Sequence, residues 1–74
     1  MLADTETLNK VIDLSWQLHM LTGKRCVEIY HALMATRALG ALGQTGDGRL
    51  TQEQAVACVR LLERWIRQAK ERNR

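Results

Sequence analysis

His19, Cys26, His31 and Cys58 are the side chains of this sequence best suited to holding a soft metal ion or to serving as nucleophile and base. None of their spacings makes a recognised metal motif: the two cysteines stand far apart, and there is no CxxC and no HExxH. Free cysteine is among the most commonly buried residue types, and Cys26 and Cys58 both lie among apolar neighbours. The expectation is therefore two core thiols and no metal or other cofactor.

Catalysis has little to draw on. The chain lacks a glycine-rich phosphate loop, a nucleophile elbow and a close pair of carboxylates. At 74 residues it is also too small to enclose a deep pocket. The reading is a non-enzyme with no small-molecule substrate. The segment from Gly43 to Thr51 invites comparison with a calcium-binding EF-hand loop, with Gly48 as the mid-loop glycine and Leu50 as the aliphatic residue that follows. In that alignment Gly43 and Thr45 fill the first acidic positions and Gln54 replaces the closing bidentate glutamate. Asp47 is left as the lone carboxylate, too few oxygen ligands for a calcium site, so a plain glycine-rich turn is expected.

Charge is divided along the chain. Residues 1–59 carry five cations against six anions, and residues 60–74 carry six cations against two. Arg60, Arg64 and Arg67 recur at four and three residues, which sets them in a row on one helix face, and Arg74 continues the row beyond Glu71. Guanidinium forks in a row suit phosphate oxygens, so the four arginines are the candidate polyanion site, with nucleic acid as the partner. A plainer explanation competes: cations in the last turns of a helix complement its dipole. Recognition motifs that would favour nucleic acid are missing. Aligning Gly23 with the turn of a helix-turn-helix puts His19 where a small residue is wanted and Lys24 where an apolar one is.

The elements that carry these residues follow from the punctuation. There is no proline and no phenylalanine, and leucine, alanine, glutamine and arginine are abundant, which favours helix throughout. The glycines divide residues 1–74 into three helical segments of one domain, at about residues 5–21, 24–42 and 51–72, with a glycine-rich loop at 43–50. Asp4 or Thr5 caps the first, Thr22-Gly23 ends it in a tight turn rather than a kink, and Thr51-Gln52-Glu53-Gln54 fits a capping box for the third. The fold class is all-α, a three-helix hairpin or bundle.

Apolar faces supply the main functional signal. The third segment is amphipathic in the ordinary way, with Cys58, Leu62, Trp65 and Ala69 on one side and arginines on the other. The first spreads Leu8, Val11, Ile12, Leu14, Trp16, Leu18, Met20 and Leu21 over more than half its circumference, and twelve of the seventeen residues 26–42 are apolar. A bundle this small cannot enclose one of its own helices, so apolar surface is left over. The economical outcome is a two-fold homodimer that completes its core with Leu14, Trp16, Leu18, Met20, Leu21, Ile29, Tyr30, Leu33 and Met34. The competing one is a groove for a helix of another protein, lined by the adaptable Met20 and Met34. Function is accordingly read as a small helical interaction module, a regulator, adaptor or assembly factor. The residues before Asp4 show neither a basic start nor an apolar run, no stretch reaches the roughly 20 apolar residues a membrane span needs, and a reduced, cytoplasmic chain is expected.

Overall fold

The computed structural model describes residues 2–40 and 50–72. They form α1 (Thr5–Thr22), α2 (Cys26–Met34), α3 (Arg37–Gly40) and α4 (Gln52–Arg72). Apart from one isolated bridge between Leu2 and Thr51, the described residues contain no strand, so the fold is all-α. The expected glycine-rich loop, save Leu50, lies outside the described residues, as do the end expected for the second segment and Arg74.

Both long helices start where their sequences supply a cap. Asp4 is extended, and its carboxylate accepts a 2.7 Å hydrogen bond from the Thr7 N–H, satisfying one of the free donors of the first turn of α1. At α4 the box is reciprocal: the Thr51 N–H donates to Gln54 Oε1 at 2.9 Å, and the Gln54 N–H donates to Thr51 Oγ1 at 3.1 Å. The two caps are also tied together. Gln52 Oε1 accepts from the Asp4 N–H at 2.9 Å, and Gln52 Nε2 donates to Thr7 Oγ1 at 3.2 Å.

This pairing of N-termini makes α1 and α4 run parallel. At the far end Leu18, Leu21 and Thr22 of α1 and Trp65, Ala69 and Arg72 of α4 line one cleft, so the two helices stay together along their length. Parallel neighbours place two helix dipoles side by side. Acidic Asp4, Glu6 and Glu53 collect at the shared N-terminal end, and Lys70 and Arg72 at the shared C-terminal end, each sign where the dipole favours it.

α1 ends at Gly23, whose φ of 75° places it in the left-handed region and whose N–H reaches the His19 carbonyl at 2.8 Å. A residue with a Cβ is strained in that conformation. The junction is therefore a turn, as expected from Thr22-Gly23.

One expectation is corrected. A single helix over residues 24–42 does not form: α2 begins at Cys26 and ends at Met34, and one further helical turn follows from Arg37 to Gly40. At the break the Thr36 N–H and hydroxyl both donate to the Leu33 carbonyl, at 3.1 and 2.7 Å, so the backbone closes a three-residue turn instead of continuing the ladder. Threonine offers this local alternative more readily than most residues.

The core gathers Leu18 of α1, Ile29 and Leu33 of α2, Leu39 of α3, and Cys58, Leu62 and Ile66 of α4. Its members on α4 recur every four residues, with half-buried Leu61, Trp65 and Ala69 beside them, as on a helix that keeps one stripe against its neighbours.

Candidate association surfaces

On α1 the residues at 12, 16 and 20 recur every four positions, which advances only about 40° around a helix per step. With Leu18 turned inward, that row faces away from the core. Ile12, Trp16 and Met20 are 57%, 55% and 78% exposed, a row of large apolar side chains without cover from the described residues. Trp16 is steadied from one side: its indole stands edge-on to the His19 ring, with centroids 5.5 Å apart and planes at 84°. His19 in turn is fixed by a 2.6 Å contact between Nδ1 and the Lys24 carbonyl. A carbonyl can only accept, so Nδ1 carries the proton. On the other side of the row a hollow of about 320 Å³ separates α1 from α4, bounded by Asp13, Trp16, Gln17, Met20, Leu21 and Lys70.

α2 adds Val27, 65% exposed, and Tyr30, 43% exposed. The nine residues expected at an association surface thus divide three ways. Trp16, Met20 and Tyr30 are exposed; Leu14, Leu21 and Met34 are half-buried against the core; and Leu18, Ile29 and Leu33 are buried within it. The last three correct the expectation: α4 and α2 cover them within the chain, so they are not available at its surface. Ile12 and Val27 belong to the exposed set and were not among the nine. Ile12 was findable from its spacing of four to Trp16.

Beyond this face, a cleft of about 570 Å³ opens where α1, α2 and α4 meet, with Leu18, Ile29 and Trp65 in its floor and Lys24, Glu28 and Arg72 at its rim. Arg60, Arg64 and Arg67 are all exposed and line one shallow depression on α4 together with Leu61 and Glu63. The structure brings these three arginines together as the spacing predicts.

The cysteines differ. Cys58 is fully buried, and the loss of solvent around it pushes its thiol up to about 11, whereas Cys26 is exposed at the start of α2. The expectation of two core thiols holds for Cys58 and is corrected for Cys26: its spacing of three and seven to Ile29 and Leu33 puts it on their face, but it is the first residue of α2 and is exposed there. Among the described residues no three His, Cys, Asp or Glu side chains converge to hold a metal ion. Nor is any helix among them long and apolar enough to cross a membrane.

Fold and surface together define a class: a small all-α chain with two parallel long helices and an apolar row on the outside of one of them. Comparison with protein-family models, curated proteins and solved structures found no match to the chain.

Proposed function

We propose that this chain is a small non-enzymatic helical interaction module, a regulator, adaptor or assembly factor, that acts through the outer apolar face of α1 and completes that face by homodimerisation. The observation that carries the reading is the row of Ile12, Trp16 and Met20, each more than half exposed. Large apolar side chains set contiguously in water mark an association site more often than scattered exposure does. Tryptophan and methionine are also the types enriched where protein surfaces meet. Two unpaired cysteines suit a reducing compartment such as the cytoplasm. The test is solution mass by light scattering or sedimentation across a dilution series in reducing buffer. Dimer that dissociates on dilution supports the reading; a monomer at every concentration refutes homodimerisation and leaves the face to a different protein chain.

A second reading rests on a separate observation, the single depression shared by Arg60, Arg64 and Arg67. Exposed guanidinium groups gathered in one depression suit phosphate oxygens, and a nucleic acid is the partner they would take. Binding of a labelled oligonucleotide that weakens steeply with salt and is lost when the three arginines become alanine supports it. Binding that survives the triple substitution sinks it.

A further inference from the structure

We infer that the occupant of the α1 face is a second copy of this chain, docked antiparallel about a two-fold axis that passes between the two Trp16 side chains. The inference rests on the interaction-module reading above and names its partner and register.

The first ground is the symmetry of the face itself. An axis at Trp16 opposes residue i to residue 32 − i, because the partner helix runs the other way. Ile12 then meets the partner's Met20, and Trp16 meets the partner's Trp16, so each apolar residue of the row finds an apolar opposite. One turn further out, exposed Asn9 falls opposite the partner's Gly23, which has no side chain and no atom within 4 Å of where a Cβ would stand. The helices can therefore approach at both ends of the row. Self-complementarity of this kind is what a closed two-fold interface requires, and antiparallel helices also oppose their dipoles favourably.

The second ground is charge. α4 runs parallel to α1 with Thr51 beside Leu2, which carries Lys70 to about the level of Leu21, on the side of the row where Asp13 and Gln17 lie. A two-fold axis normal to the helices keeps that side facing itself while reversing its direction. The partner's Lys70 arrives about two residues from the level of Asp13, and the same contact repeats across the axis. Within one chain Lys70 stands about two turns beyond Asp13 along α1, roughly 12 Å. Lys10 lies a further 60° round the helix, away from the row, and the partner's Arg67, three residues before its Lys70, arrives about one residue from the level of Asp13 and adds to the same attraction. Two Asp13–Lys70 pairs at the rim thus favour this register.

The face is short, three side chains over two turns, and far below the roughly 800 Å² per partner of tight complexes. Dissociation in the micromolar range is expected, with a dependence on salt from the rim pairs.

The experiment exchanges charges between copies. Asp13→Lys and Lys70→Asp are prepared separately and mixed, and mass is followed by sedimentation, with circular dichroism confirming that each variant is folded. Both residues are exposed, so the fold should tolerate the changes. Each variant alone opposes like charges at both rim pairs and should dissociate roughly tenfold more readily than the unaltered chain. In the mixed dimer every rim pair again joins opposite charges, and association should return toward the original level. An effect confined within one chain would give no such recovery. Trp16→Ala, and Met20→Glu as a variant at a still more exposed site, should abolish the dimer. Dissociation by these two with no recovery on mixing overturns the register and leaves the interaction module standing. A dimer indifferent to both overturns the α1 face itself. A chain that is monomeric at all concentrations overturns the second copy as occupant.

Discussion

Cys26 and Cys58 show how position in a helix decides what a side chain can do. Cys58 falls on the inward stripe of α4 and is surrounded by apolar atoms that disfavour a thiolate. Cys26 falls at the first turn of α2, in solvent. A soluble alkylating reagent at neutral pH is expected to modify Cys26 rapidly and Cys58 only after denaturant is added; mass spectrometry of the labelled peptides checks this. The raised thiol of Cys58 also sets a pH window. Its contribution to stability is complete below the unfolded value near 9.0 and is lost as pH rises toward about 11, since the unfolded chain releases that proton first. Cys58→Ala should reduce the alkaline part of the loss seen in denaturant titrations repeated from pH 8 to 11.

Asp4 works in the opposite direction. Hydrogen bonds from Thr7, from its side chain foremost and then its backbone, hold the carboxyl below its ordinary 3.8. The group therefore stabilises the fold above the unfolded value, and the benefit disappears as pH falls through the lowered one. Asp4→Ala should melt at a lower temperature than the unaltered chain at neutral pH, and the two melting curves should converge in acid. A constant gap between them would show that the cap works without its charge.

At the scale of the element, helix ends were the legible part of the sequence. Asp4, Gly23 and the Thr51–Gln54 box act on backbone groups within four residues of themselves, so their signals are local and survive folding. Gly23→Ala puts a Cβ into the left-handed region with open space around it, so backbone strain alone should cost about 1 kcal/mol in chemical denaturation. Thr51→Ala removes one half of a reciprocal cap and should cost a similar ~1 kcal/mol. The break at Ala35–Thr36 was not legible in the same way. Residues 26–42 have the composition of a helix, and the choice of Thr36 to bond Leu33 twice is made where α2 must turn so that Leu39 can join the core beside α4. The arginine row was legible as geometry because helical spacing alone sets it. Its meaning was not, since cations near the end of α4 also answer the joined C-termini of two parallel helices.

For the molecule as a whole, the excess of apolar residues was readable as a quantity but not as a place. Counting around each helix could not tell which apolar residues the chain would cover with its own elements. Leu18, Ile29 and Leu33 went inward because α4 supplies Cys58, Leu62 and Ile66 to meet them. What remained outside includes the row that faces away from that contact, Ile12, Trp16 and Met20, besides Val27 and Tyr30 of α2. The core side of this division is testable by truncation: Leu62 is fully buried at the centre of the cluster, and Leu62→Ala should lower unfolding free energy by about 2–5 kcal/mol. Substituting Met20 by a polar residue should change it little, because that side chain is 78% exposed.

The two tryptophans provide the most direct test of the outer face of α1 as the association surface. Trp16 is on that face and Trp65 is half-buried against the core, so their indole N–H resonances report on the two sides of the molecule separately. In a dilution series of the isotopically labelled protein, the Trp16 indole signal and the amides of residues 12–20 should shift with concentration while the Trp65 indole stays in place. Shifts confined to Arg60, Arg64 and Arg67, or no shift anywhere as the chain is diluted, would contradict association through this face.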